Sequence, residues 1–246
     1  MVTASYIIIG DEILSGRVAD ANLNFLAKEL TNMGIILKEV RVVPDDENEI
    51  INTLNDLRKK YDYVFTSGGV GPTHDDITTL SVAKALKQDL YINNLALRLL
   101  ENYYGKDNLN EPRLKMARIP VGSDVIDNDI MAVGGFYTDN IFVMAGVPKI
   151  FRSMFFAVKD KLKVGKKMES LEINLNAKES LIAESFSNLQ KKYLNVAMGS
   201  YPNDSGTSLV FRSDDYEKLE KSFLEMKEIL EKNDDNVIIS CSNIKK

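Results

Sequence analysis

Short β-branched runs alternate with helix-period segments through the first two thirds of the chain, and this alternation most narrows the fold. Residues 4–9 form an apolar, β-rich run stopped by Gly10. Residues 21–33 then carry Leu23, Phe25, Leu26, Leu30 and Met33 at helical spacing, with Gly34 as the stop. Residues 35–43 read as a second strand ended by Pro44, and residues 47–60 as a helix with Ile50, Ile51, Leu54 and Leu57 on one face. A third strand over 61–66 runs into Ser67-Gly68-Gly69-Val70-Gly71-Pro72, and 77–86 is helical through Ile77, Leu80, Val82, Ala83 and Leu86. Further helices are predicted over 94–104, 111–117 and 150–162, with short strands at 125–126 and 141–144. Repeated strand–helix–strand units require right-handed crossovers. The expected fold is therefore a three-layer α/β arrangement, a mostly parallel sheet with helices on both faces.

The pattern changes after Leu162. A charged linker over 163–167 leads to a half-buried strand at 171–175 and a helix at 179–192. Strands at 194–198 and 208–211 flank the turn-rich Tyr201-Pro202-Asn203-Asp204-Ser205-Gly206. A helix over 214–232, with Asp214 as its N-cap, and a strand at 237–240 complete a βαββαβ order. That order is the ferredoxin-like one, a small α+β unit. Two domains are expected, 1–165 and 166–246, which suits a chain of 246 residues.

Composition removes several classes of function. The 31 basic and 36 acidic side chains leave a net charge of −5, and runs of adjacent lysines are no longer than doublets, so no basic stripe marks a nucleic-acid partner. One cysteine, Cys241, excludes an intrachain disulfide and a cysteine-rich zinc site. One histidine, His74, excludes multi-histidine metal centres, and any nucleophile–histidine pair must use it. A bound metal would be a hard divalent cation such as Mg²⁺ on oxygen ligands; no haem or flavin prosthetic group is expected. No segment reads as a signal peptide or membrane span, and a cytoplasmic protein is expected.

Three polar loops follow strands, and ligands in such folds sit beyond the carboxyl ends of the strands. The first is Gly10-Asp11-Glu12-Ile13-Leu14-Ser15-Gly16-Arg17, the second Pro44-Asp45-Asp46-Glu47. The third is Thr66-Ser67-Gly68-Gly69-Val70-Gly71-Pro72-Thr73-His74-Asp75-Asp76. Glycines there allow close approach of backbone N–H groups to a phosphate, in front of a helix N-terminus. The spacing is neither that of a P-loop nor that of a dinucleotide fingerprint. Adjacent acids near an anion make sense where a divalent cation lies between or where one acts as a general acid or base. Either aspartate of Asp75-Asp76 can instead serve the helix dipole.

These blocks, with Asp20 and Asn22 and the later Gly146-Val147-Pro148, resemble the MoaB/Mog molybdopterin-binding domain over residues 4–162. The likeness is closest to its CinA-like branch and to the corresponding half of eukaryotic FAD synthases. Glu179-Ser180-Leu181-Ile182-Ala183 and Gly199-Ser200-Tyr201-Pro202 are similar to the segment that follows this domain in the same branch. The amidase domain of full-length CinA and the nucleotidyltransferase half of FAD synthases do not fit in the chain. Two departures, Ala145 in place of a proline and the proline-free stretch 131–136, bear on substrate preference.

The resemblance implies one of two chemistries: adenylylation of molybdopterin, or metal-dependent cleavage of a pyrophosphate in ADP-ribose or FAD. It implies catalytic roles for Asp45 and Asp76, which match the two aspartates of the molybdenum-cofactor branch, and His74 is a candidate acid/base group beside them. Ser67, Gly68, Gly69, Gly71, Thr73, Asn22 and Gly146 would line the phosphate and substrate site. Asp11, Glu12 and Asp76 would hold the cation. Asn22 can also be a helix-start residue, and Arg17 either meets phosphate or is solvated. The expected ligand is a small nucleotide or pterin, with no nucleic acid and no membrane. The expected activity is a nucleotide pyrophosphatase on an AMP-containing dinucleotide; the alternatives are a non-catalytic binding module or molybdopterin adenylylation. A homo-oligomer, dimer or trimer, is expected.

Overall fold

β1 (Val2–Ile9) is the strand around which the first unit is built, buried from Ala4 onward because both its faces are covered. The computed structural model describes residues 1–128, 130, 132, 135–232 and 238–243, in two units, Met1–Gly165 and Lys166–Lys246. After β1 come α1 (Asp11–Leu14), α2 (Asn22–Asn32), β2 (Ile35–Val43), α3 (Glu47–Lys60), β3 (Tyr63–Ser67) and α4 (Thr78–Leu86). An excursion follows through β4 (Leu90–Ile92), α5 (Asn94–Tyr104), α6 (Glu111–Lys115) and β5 (Arg118–Pro120). The unit closes with β6 (Asp124–Ile126), β7 (Gly135–Thr138), β8 (Ile141–Met144) and α7 (Pro148–Val158).

The main sheet has the order β2-β1-β3-β8-β7-β6. Pairs β1–β2, β1–β3 and β3–β8 are parallel, whereas β7 runs antiparallel to both neighbours. Tyr6 and Phe65 pair in register and project to one side, where their rings meet Phe151 and Phe155 of α7. Phe25 of α2 packs on the same rings. Alternate residues Ser5, Ile7, Val64 and Thr66 face the opposite side and are buried too. There α3 packs against α4. This is the three-layer α/β arrangement expected from the sequence. β4 and β5 form a separate two-stranded ladder, and α5 and α6 share a small core of Ala96, Leu100, Met116 and Ala117.

In the second unit, β9 (Glu169–Leu175), α8 (Glu179–Lys192), β10 (Ala197–Asn203), β11 (Gly206–Ser213), α9 (Tyr216–Glu231) and β12 (Ile238–Asn243) form the βαββαβ order. Its sheet, β10-β11-β9-β12, is antiparallel throughout, over a core that includes Ile173, Phe186, Phe211, Leu219 and Met226. Among the described residues no helix is long and apolar enough to cross a membrane.

Four expectations are corrected. Leu80 is 41% exposed, because the buried stripe of α4 runs through Thr78, Ser81, Val82 and Ala85, small residues that let α3 approach. Tyr201, Pro202 and Asn203 belong to β10 rather than to a turn; on an edge strand the missing proline N–H costs no ladder bond. The N-cap of α9 is Asp215, which accepts from the Lys218 amide, and not Asp214. Ser213 Oγ accepts from the Asp215 amide at 3.1 Å and so sets that register. The helix predicted to 162 ends at Val158 and gives way to one 3₁₀ turn. Val237, predicted to begin the last strand, lies outside the described residues.

Candidate functional site

Because β1, β2, β3 and β8 run parallel, the loops after them gather on one edge of the sheet. Backbone bonds knit the strand ends: the Gly10 amide donates to Val43 O at 3.2 Å, and the Gly68 amide to Met144 O at 3.2 Å. The Asp11 amide donates to Asp45 Oδ2 at 3.0 Å. Asn22 Nδ2 donates to Gly146 O at 2.8 Å, which ties the start of α2 to the loop before α7. The three motif loops and the Gly146 loop therefore do converge.

The glycine loop is shaped by two positions with positive φ. Gly68 has φ +103°, and a Cβ there would lie 2.1 Å from the Ile9 carbonyl oxygen; Gly69 has φ +65°, and its Cβ would lie 2.2 Å from Thr78 Oγ1. Thr78 closes the loop by donating from Oγ1 to Gly68 O at 2.9 Å and from its amide to Gly69 O at 3.0 Å. The helix starts at Thr78, one residue after the expected start, because residues 73–76 make a turn first. The amides just before it are spent within the turn, Asp76 N on Thr73 O and Ile77 N on Asp75 O. The amides of Gly69, Val70 and Gly71 find no acceptor among the described residues. The loop itself thus carries anion-receptive groups.

The acids divide by role. Asp46 is the N-cap of α3, accepting from the Asn48 and Glu49 amides at 2.9 and 3.0 Å. Asp45, its neighbour, faces the site. Burial raises the Asp45 carboxyl above the usual carboxylate range, the Asp11 amide opposes that, and the charges of Asp11, Glu12 and Asp75 raise it further. Asp76 turns back on its own turn, accepting from the Thr73 amide at 2.8 Å and from the Thr73 hydroxyl, above Gly71. Asp75 is exposed, and its carboxyl is lowered chiefly by the Thr73 hydroxyl, then by its own amide, with His74 and Lys115 adding to it. His74 is 99% exposed at its side chain and stands 3.9 Å from Asp75. It is the outermost member of the motif.

Ser67 and Asn22 lie beneath the loop rather than in it. The Ser67 hydroxyl is hydrogen-bonded to the Tyr6 hydroxyl at 2.5 Å, and both residues are buried. Burial pushes the Tyr6 phenol up, so it stays neutral. Asn22 is the first residue of α2 and not its cap; the Leu23 amide is held by Asp20 at 2.7 Å. Buried Asn22 Oδ1 has no partner among the described residues. Arg17 is exposed on the loop after α1. Sequence reading missed Lys115 of α6, whose Nζ donates to Thr73 O at 2.5 Å across 42 positions.

Among the described residues no three His, Cys, Asp or Glu side chains converge closely enough to hold a metal ion. Asp11, Glu12 and Asp76 are therefore not brought together as a cage. Mg²⁺ commonly takes one or two carboxylates and completes its shell with substrate phosphates and water. Asp11 and Glu12, acids beside the raised Asp45 with no ion-pair partner among the described residues, fit that shared arrangement.

Residues 5–163 match the family described as "Probable molybdopterin binding domain", and residues 167–236 match "FAD synthase, middle domain". A protein of Archaeoglobus fulgidus is 31% identical over 225 residues, covering 91% of this chain and 96% of that one. A "Probable FAD synthase" of Caenorhabditis briggsae is 30% identical over 258 residues; the match covers 93% of this chain and about half, 49%, of that protein. The crystal structure of the protein CinA, of unknown function, from Thermoplasma acidophilum shares 35% identity and a TM-score of 0.62, covering 65% of this chain and 96% of that one.

Proposed function

Since the chain belongs to the molybdopterin-binding-domain family, in its CinA-like branch, we propose that it is a divalent-cation-dependent pyrophosphatase acting on an AMP-containing dinucleotide of the ADP-ribose or FAD class. The observation that carries this reading is the pairing of unspent amides at Gly69, Val70 and Gly71 with the acidic Asp11–Asp45 contact on one sheet edge. Amides alone would suit any anion. Acids beside them suit an anion that arrives with a cation and must be attacked by water.

The loop amides would hold non-bridging phosphate oxygens, and Asp11 and Glu12 would share the cation with them. A divalent ion in that place supplies charge neutralisation for the attacked phosphoryl group. Asp45, the carboxylate raised by burial, accepts the proton of the attacking water. The new P–O bond forms to that water as the bridging P–O bond breaks, and AMP leaves with the bridging oxygen or gains the water oxygen. Asp76 keeps the Thr73 turn closed around Gly71. His74, exposed at the rim, would meet the outer part of a ligand.

The reading is tested by AMP release from ADP-ribose, FAD, NAD and ATP with Mg²⁺, Mn²⁺ or Co²⁺, each repeated in EDTA. Release from ADP-ribose or FAD that EDTA abolishes is the expected result. Tight binding without release from any of the four contradicts it. That outcome favours the second reading, a pterin- or nucleotide-binding module, for which the absence of a three-carboxylate cage among the described residues speaks.

A further inference from the structure

The geometry points to Lys115 as the cationic phosphate-binding residue of this site, supplied from outside the three motif loops; the inference rests on the nucleotide reading above. Lys115 is the last residue of α6, half-buried, in the excursion that packs on its own small core. Its ammonium is carried 42 positions back to the Thr73 carbonyl, in the turn between Gly71 and Asp76. An ammonium has three donors. One is spent on Thr73 O, and Lys115 has no carboxylate partner within ion-pair distance among the described residues.

The surroundings explain why an unpaired ammonium there matters. Seven acids, Asp11, Glu12, Asp45, Asp46, Glu47, Asp75 and Asp76, lie on the three loops. Lys84, the nearest lysine on α4, is already closed on Glu47 at 2.7 Å. Arg17 is fully on the surface side of its loop. Among the described residues, Lys115 alone combines partial burial, a side chain fixed on the glycine-loop turn and two unspent donors. A purely structural pin on one carbonyl would not need a charge, since a neutral donor serves a carbonyl as well. A phosphate approaching the amides of Gly69–Gly71 would otherwise meet only negative charge before a cation is bound.

The test is calorimetric titration with AMP, and separately with adenosine, in Mg²⁺, for the full chain, Lys115→Met and Lys115→Arg, alongside thermal melting. Methionine keeps the stem of the side chain and removes the charge. Affinity for AMP is expected to fall by about tenfold to a hundredfold in Lys115→Met, as for loss of a charged hydrogen bond. Lys115→Arg should recover most of it, and adenosine should be unaffected. The affinity that remains in Lys115→Met should also depend less on salt. Equal AMP affinity in Lys115→Met and the unaltered chain overturns the inference, as does an equal loss for adenosine, which is what a mere pin on the loop produces. If the unaltered chain releases AMP from dinucleotides yet Lys115→Met shows an unchanged KM, this inference fails while the pyrophosphatase reading stands. If the unaltered chain binds no AMP and releases none, both fall together.

Discussion

Asp45 accepts the backbone amide of Asp11 at 3.0 Å, so the ends of β2 and β1 are joined through a carboxylate at the point where the candidate site opens. The next residue, Asp46, points to its own helix and caps α3. Two adjacent aspartates thus divide chemistry and stability between them. Asp46→Ala should cost about 1 kcal/mol in urea unfolding and leave AMP release unchanged. Asp45→Asn should keep the fold, since an amide oxygen still accepts from Asp11, and should lose turnover. Equal stability losses with equal turnover in both variants would refute this division.

The raised Asp45 carboxyl makes a signed prediction for stability against pH. An acid whose folded pKa is raised is harder to ionise in the native state than in the unfolded chain. Stability is therefore undiminished below the ordinary carboxylate range, falls as pH rises from there through the raised folded value, and stays lowered above it. Asp45→Asn should match the unaltered protein in acid and exceed it at neutral pH without ligand. The gain is about 1 kcal/mol or less, because partial exposure screens the effect. Melting curves across pH for the two proteins check it.

Gly68 and Gly16 both hold positive φ but differ in surroundings. A Cβ on Gly68 would strike the Ile9 carbonyl, whereas one on Gly16, at φ +71°, would meet nothing within 4 Å. Gly68→Ala should destabilise by about 3 kcal/mol or more, since backbone must shift as well as adopt a strained φ. Gly16→Ala should cost about 1 kcal/mol, the left-handed term alone. Chemical denaturation of the pair measures the difference directly.

Asn22→Ala removes the amide that satisfies Gly146 O beneath the site. Gly146 is exposed, so its carbonyl can turn to water, and the loss expected in unfolding experiments is that of one hydrogen bond, about 0.5–1.5 kcal/mol. Asn22→Asp should be worse, because it sets a carboxylate against a carbonyl in a buried place.

Much of the fold was legible because strong local signals coincide with element ends. Residues 35–43, 47–60, 94–104, 141–144 and 179–192 were bounded from pattern alone, and the structure has the same bounds. Asp46 and Asn93 cap two of these, and a cap beside a helical stripe is readable in one dimension. β4, β5 and β7 were not found. They span three or four residues each, too few for a pattern, and their pairing with other segments, not their composition, makes them strands. Asp214 and Asp215 are indistinguishable by pattern; the Ser213 hydroxyl decides between them through space.

The site was legible as three loops on one edge, since topology places them there once the sheet is parallel. What pattern could not give was direction. Ser67 points inward to Tyr6 because alternation along β3 puts it on the Phe65 face, while His74 points out from the turn. Lys115 left no signal near the motif, because its contact with Thr73 depends on how the β4–β5 excursion folds back.

The central claim is tested most directly by measuring AMP release and dinucleotide affinity side by side, in Mg²⁺, for the unaltered chain and Asp45→Asn. Affinity should stay within about threefold while release falls by about 10²–10⁴-fold, the range for loss of a positioned acid or base. Wild-type rates of release in Asp45→Asn, or no Mg²⁺-dependent release from the unaltered chain, would contradict the account.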